Sequence, residues 1–169
     1  LDFRVDGAPA TLDFQAADIA KLTLCPGIRG LGRIRTPFRV KIPAAFSRLG
    51  HVGQSYQITQ WYPKPAVYDR DGWHPMPYLD MGEFYSEFGS FEVSITLPSN
   101  YVVGATGSLE DPSEAAFLEQ KAAADARYLT ALPDQPVKAP DSFPASSPVR
   151  KTIHYRAGQV HDFAWFADK

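Results

Sequence analysis

Cysteine is nearly missing: Cys25 is the only one in 169 residues. One thiol excludes an internal disulfide and leaves a structural zinc–thiolate site without its ligands. Cys25 closes the apolar run Leu-Thr-Leu-Cys-Pro-Gly (22–27) with no histidine near it in sequence, so its expected role is a small buried hydrophobe. A large net charge is missing as well, with 17 Lys and Arg against 19 Asp and Glu. The net charge is −2 and no basic run is present, which argues against a nucleic-acid partner. No apolar run approaches the roughly 18 residues that a membrane-spanning helix needs. No signal peptide opens the chain; Leu1 to Val5 already read as a strand, so the chain is expected to be a piece or processed product of a longer protein, whose compartment stays open.

Catalytic motifs are also lacking. A zincin helix needs H-E-x-x-H, with two histidines one turn apart on the metal and a glutamate activating water. None of His51, His74, His154 and His161 is followed by that pattern, and all four are expected to be structural or surface residues. There is no G-x-S-x-G elbow and no phosphate-binding glycine loop with its lysine. Gly27, Gly30 and Gly32 precede a strand-like run rather than a helix, so they read as a turn and not as a dinucleotide fingerprint. Acidic pairs such as Asp69 with Asp71 lack a partner that would define acid–base chemistry, and solvated loop charges are the expectation.

What the chain does have is period-two alternation and a 44% hydrophobic composition, enough for one full core. Ile34, Phe38, Val40 and Ile42 alternate with Arg33, Arg35, Arg39 and Lys41, and Phe91, Val93, Ile95 and Leu97 alternate with Glu92, Ser94 and Thr96. Half-buried antiparallel strands give this pattern. Further strands are expected at 19–24, 54–61, 101–106, 150–156 and 159–166, and Asp6-Gly7 signals a hairpin turn. One helix is predicted over 112–131, with Asp111 as N-cap, Pro112 at the first helical position and Glu114 completing the cap. Its apolar residues are sparse, so it should lie on the surface. A stiff proline-rich loop, 133–148, follows it. The expected fold is all-β: an antiparallel β-sandwich occupying 1–169 as a single domain, with 108–149 as a helix-plus-loop insertion.

Aromatic residues and prolines concentrate between Ile58 and Tyr85. Trp61, Tyr62, Tyr68, Trp73, Tyr78, Phe84 and Tyr85 are interleaved there with Pro63, Pro65, Pro75 and Pro77. Proline holds such a segment extended, and aromatic rings build walls for ligands. Gln60 shares a strand face with Tyr56 and Ile58 and ends it just before this stiff segment. It is placed either to offer its carbonyl to a ligand amine or to satisfy neighbouring backbone groups.

Several blocks together resemble a known family. Thr59-Gln60, after a strand and before an aromatic, proline-rich segment, is similar to the T-Q strand end in the N-terminal domain of zinc aminopeptidases related to aminopeptidase N and leukotriene hydrolase. FRVKIP (38–43), FSRLGHVGQSYQITQWYPKPAVYD (46–69), GWHPMPYLDMGEFYSEFGSFEVSITLP (72–98), YVVGATG (101–107) and VHDFAW (160–165) resemble a bacterial branch of it, in the same order. Residues 108–149 diverge. The resemblance implies a β-sandwich domain beside a thermolysin-like catalytic domain that carries H-E-x-x-H, a distant glutamate as third zinc ligand and G-x-M-E-N. None of these three is in this chain, and Trp165 to Lys169 fall where the family's chain passes into that domain. No cofactor is then expected here, because zinc belongs to the parent's catalytic domain.

The implied partners are that catalytic domain and a peptide substrate. The implied site residue is Gln60, lining the cleft and holding the substrate's free α-amine, with Trp61, Tyr62, Trp73 and Tyr78 as candidates for shaping the first subsite. The family often has Glu or Gln where Tyr62 stands, so one acceptor for the amine is lost. The expected function is a non-catalytic cleft wall and docking domain of an aminopeptidase-like metallopeptidase. A stand-alone carbohydrate- or ligand-binding sandwich using the aromatics is the alternative, and a purely structural adaptor is a weaker third.

Overall fold

A computed structural model describes residues 2–131 and 142–169, apart from 25, 26, 28, 29, 46, 80 and 83 and the side chains of 127–131. Cys25 and the first part of the proline-rich loop, 133–141, therefore lie outside the described residues. In chain order the first strands are β1 (Phe3–Val5), β2 (Ala8–Ala10), β3 (Leu12–Phe14), β4 (Ala20–Leu22) and β5 (Ile34–Arg35). There follow β6 (Gly50–Val52), β7 (Ser55–Ile58), β8 (Val67–Asp69), β9 (Gly72–His74), β10 (Gly89–Pro98), β11 (Val102–Ala105) and β12 (Ser108–Leu109). Helix α1 (Pro112–Ala131), β13 (Arg150–Val160) and β14 (Trp165–Asp168) complete the chain. The fold is all-β, in antiparallel sheets with one inserted helix. No helix among the described residues is long and apolar enough to cross a membrane.

The chain forms two compact units, one of Leu1–Lys41 with Tyr62–Glu87 and one of Ile42–Trp61 with Phe88–Lys169. The first holds three small sheets: β2-β1-β5, β3-β4 and β8-β9. Asp6 and Gly7 adopt φ values of 49° and 88°, the left-handed pair that a tight primed hairpin turn requires, and Val5 pairs with Ala8 across it. The Asp6 carboxylate then accepts the Arg33 N–H at 2.8 Å, which draws β5 alongside β1. The alternation from Ile34 to Ile42 does not become one strand. Pairing stops at Arg35, and Phe38 and Val40 are each 40% exposed. Pro37 explains the stop, since it has no N–H for a ladder and restricts Thr36 before it. Among the described hydrophobic residues of this unit only Val67 is buried, at 1% exposure.

The second unit is the sandwich-like part, with sheets β10-β13-β12 and β11-β14-β7-β6. Alternation is strict along β10 and β13, where Ile95 pairs with Ile153 and Val93 with Tyr155. Ile95, Leu97, Ile153, Tyr155 and Ala157 from one sheet and Ile58, Val103 and Ala167 from the other are buried. Each large apolar side chain removed from water contributes about 1.5–3 kcal/mol, so these rows carry the unit. The Tyr155 hydroxyl donates to the Val103 carbonyl at 3.0 Å and so links the two sheets. Burial, with the Glu114 and Asp111 charges adding to it, pushes its phenol up and keeps that donor protonated.

Helix α1 spans the predicted residues, but its first turn is used differently from the expected capping box. The Asp111 carboxylate accepts the His154 backbone N–H at 2.5 Å and lies 3.1 Å from His154 Nδ1. Glu114, the buried acid of this region, meets Lys151 Nζ at 2.6 Å, and that ammonium sits 4.2 Å from the centroid of the Phe117 ring. Asp111 does occupy the N-cap position, its carbonyl accepting the Ala115 N–H at 3.0 Å, but the side chains of both acids tether the helix to β13. The partners lie some forty residues on, where local sequence gives no sign of them.

Two outcomes follow from these tethers. Lys151 and Glu114 side chains are 16% and 7% exposed, so Lys151→Met leaves a nearly buried carboxylate without its cation and should cost about 3–5 kcal/mol, while the double change with Glu114→Leu should be close to neutral. Urea midpoints of the two variants decide this; equal losses in both would refute it. Asp111 is held below the usual carboxylate range by the backbone N–H of His154 first and its ring second. A lowered folded value contributes stability that is full above the unfolded pKa of about 3.9 and is lost as pH falls through the folded one. The stability advantage of the wild type over Asp111→Asn should therefore hold from pH 6 to 5 and shrink on acidification below about pH 4, as read by urea unfolding at each pH.

Candidate functional site

The end of β7 is built by strand register. Trp165 of β14 pairs with Ile58 of β7 in antiparallel sense, so the residues following Ile58 run beside those preceding Trp165. Gln60 and Trp61 accordingly meet Asp162 and Phe163. Gln60 Nε2 donates to Asp162 Oδ2, and Trp61 Nε1 donates to the Phe163 carbonyl at 3.0 Å. Asp162 Oδ1 accepts the backbone N–H of Phe163 at 2.8 Å. Phe163 itself is fully buried and packs its ring 5.9 Å from that of Phe91.

Gln60 leaves the strand with φ 50°, a left-handed conformation that costs a side-chain-bearing residue about 1–2 kcal/mol. Gln60 is half-buried. A carboxylate only accepts hydrogen bonds, so the NH2 of the amide must be the end that faces Asp162. The carbonyl oxygen is then the end left to accept from something else.

The other three candidates belong to the unit of Leu1–Lys41 and Tyr62–Glu87. Tyr62 and Tyr78 join one cluster there: Lys64 Nζ lies 5.7 Å from the Tyr62 ring centroid and 5.5 Å from that of Phe84, which in turn lies 5.4 Å from Tyr78. These are cation–π distances. Trp73 stands on the β8-β9 hairpin opposite Tyr68, their centroids 4.9 Å apart and their planes tilted by 55°. Trp73 is 67% exposed. The same hairpin holds Asp69 and His74 together, Nε2 to Oδ1 at 2.8 Å, and Asp69 also accepts the Asp71 N–H at 2.8 Å. His74 first and Asp71 second hold the Asp69 carboxyl below its ordinary range. These contacts close the turn, a structural role.

A shallow cavity of about 330 Å³ opens on the four-stranded sheet and is lined by His51, Ser55, Gln57, Phe166 and Asp168, among others. Serine, histidine and aspartate all line it, but their wiring is not that of a hydrolase. Ser55 Oγ donates directly to Asp168 at 3.0 Å, and His51 Nδ1 lies 3.0 Å from the Gly53 carbonyl. A triad needs the imidazole between the hydroxyl and the carboxylate. Among the described residues no three His, Cys, Asp or Glu side chains are grouped as a metal site.

Asp162, Phe163 and Lys64 are the partners that sequence reasoning did not single out. The V-H-D-F-A-W block contains the first two, yet only the β7–β14 register reveals that they face Gln60 and Trp61. No protein-family model matches the chain, and neither curated proteins nor solved structures yield a match.

The strain at Gln60 has a measurable consequence. Gln60→Ala and Gln60→Gly both remove the amide, but only glycine relieves the left-handed backbone, so the Gly variant should be about 1 kcal/mol the more stable. Urea unfolding of the pair tests this; equal stability would mean that the backbone there is not held at positive φ.

Proposed function

We propose that this chain is a non-catalytic N-terminal domain of a zinc-dependent, aminopeptidase-like metallopeptidase, forming one wall of the peptide cleft and docking on a catalytic domain. The observation that carries the reading is the Thr59-Gln60 strand end. A half-buried glutamine, in a backbone conformation that favours glycine, has the NH2 of its amide on Asp162, which leaves the carbonyl as the end for a donor. A free α-amine is such a donor. In this reading zinc and the groups that act on the scissile bond come from the catalytic domain, and the residues described above only bind and orient.

Exposed apolar side chains support the docking half of the proposal. Leu31, Trp73, Met81 and Tyr85 all remain exposed in the folded chain. All four belong to the unit of Leu1–Lys41 and Tyr62–Glu87, and exposed apolar side chains of this kind would lose contact with water on docking. The carbohydrate-binding alternative draws on the Tyr68–Trp73 pair. Its 55° tilt gives no flat platform for the face of a sugar ring, and Trp61 is half-buried with its indole N–H on Phe163.

The test uses the full-length protein. Gln60→Ala there should lower kcat/KM on aminoacyl-arylamides by about 10–100-fold, the worth of one hydrogen bond to a charged group. Unchanged turnover and affinity would reduce the domain to a structural adaptor. The 169-residue chain alone should bind no stoichiometric zinc and cleave no aminoacyl-arylamide. One tightly bound zinc per chain would overturn the proposal, and sugar affinity in a glycan screen would favour the alternative.

A further inference from the structure

We infer that Asp162 is the positioning residue of Gln60: its carboxylate fixes the amide so that the site offers a hydrogen-bond acceptor and selects ligands that bring an N–H. The use of that acceptor by a peptide amine rests on the function proposed above; the orientation of the amide does not. Four linked contacts carry the inference. Phe163 is fully buried and anchors the segment before β14. Its own N–H holds Asp162 Oδ1 at 2.8 Å, which leaves Oδ2 directed at Gln60 Nε2. Its carbonyl holds the indole of Trp61, the next residue along, at 3.0 Å.

Turning the amide over would set its carbonyl oxygen against a carboxylate oxygen, two acceptors with no proton between them. Most glutamine amides choose their orientation from neighbours that both give and take; this one faces an acceptor alone. A ligand at the carbonyl end must therefore donate. An ammonium N–H is the strongest such donor and an amide N–H a weaker one, whereas an ester oxygen or a quaternary ammonium has no N–H to give. Asparagine in place of Asp162 would keep its carbonyl oxygen on the Phe163 N–H and turn its NH2 toward Gln60, so the Gln60 amide would turn over and the acceptor would be lost.

The experiment reads the side-chain amide of Gln60 directly in the ¹⁵N-labelled 169-residue chain, its resonance pair identified by loss in Gln60→Glu. In the wild type one of the two protons should lie shifted from free-glutamine positions and exchange with solvent roughly tenfold more slowly than exposed glutamines. In Asp162→Asn, with the backbone spectrum retained, shift and protection should be lost. Free-glutamine shifts and fast exchange in the wild type would overturn the inference, and so would an unchanged pair in Asp162→Asn. If that variant does not fold, the wild-type measurement decides alone.

Titration with L-leucinamide and N-acetyl-L-leucinamide then separates the two claims. Stronger perturbation of the pinned pair by the free amine than by the acetylated probe, whose amide N–H groups are weaker donors, supports both claims, and equal perturbation by the two leaves Asp162 as the positioning residue and removes the preference for an amine. A pinned pair that responds to neither leaves Asp162 as the positioning residue and removes the amine-binding role of Gln60.

Discussion

Phe163 is fully buried, and the geometry around Gln60 depends on that burial. Removing a phenyl ring from water contributes about 1.5–3 kcal/mol, more than the roughly 1 kcal/mol of a typical hydrogen bond. Burial therefore sets where the segment before β14 lies, and the bonds from Asp162 and to the Phe163 carbonyl only settle orientation. The pairing of Ile58 with Trp165 brings the end of β7 to the same place. Without the buried ring, the Asp162 carboxylate and the Phe163 carbonyl would have no fixed position to offer Gln60 and Trp61.

The two units are held together by different means. The sandwich-like unit buries facing rows from two sheets and crosses them with the Tyr155–Val103 bond. The other unit relies on turns and short-range contacts: the Asp6-Gly7 hairpin, the Asp69–His74 pair and the rings around Lys64. Sheets of two and three short strands close little core. That unit keeps Val67 buried while Trp73 and Met81 stay exposed.

Legibility in the sequence followed the range of the interactions. β10 and the helix Pro112–Ala131 were readable because alternation and a proline at the first helical position are local signals. β13 was readable in place, though it runs on to Val160 beyond the expected end at 156. The same alternation misled at Phe38 and Val40, where Pro37 interrupts the ladder that would have given it meaning. Asp111 and Glu114 looked like a capping box because that motif is written within four residues; their actual partners, His154 and Lys151, are recognisable only once β13 lies beside the helix. Gln60 was legible as the end of a strand face. Asp162 was not, because nothing near position 162 announces that residue 60 will arrive there.

Among the described residues three that are not glycine adopt positive φ: Asp6, Gln60 and Gln159. Asp6 is explained by its hairpin turn. Gln159 sits where the β10–β13 register shifts, between the Phe91–Ala157 and Gly89–Val160 pairs, and an irregularity of this kind bends the strand and increases its twist. Gln60 lies in neither a named hairpin nor a named bulge. Glycine would relax the backbone but could not reach Asp162. Backbone strain of this kind persists where the surroundings over-determine it, and it collects at functional positions. The strain alone does not identify a ligand. Beside that strain, an acceptor-only partner holds one end of the Gln60 amide, a contact that glycine would forfeit.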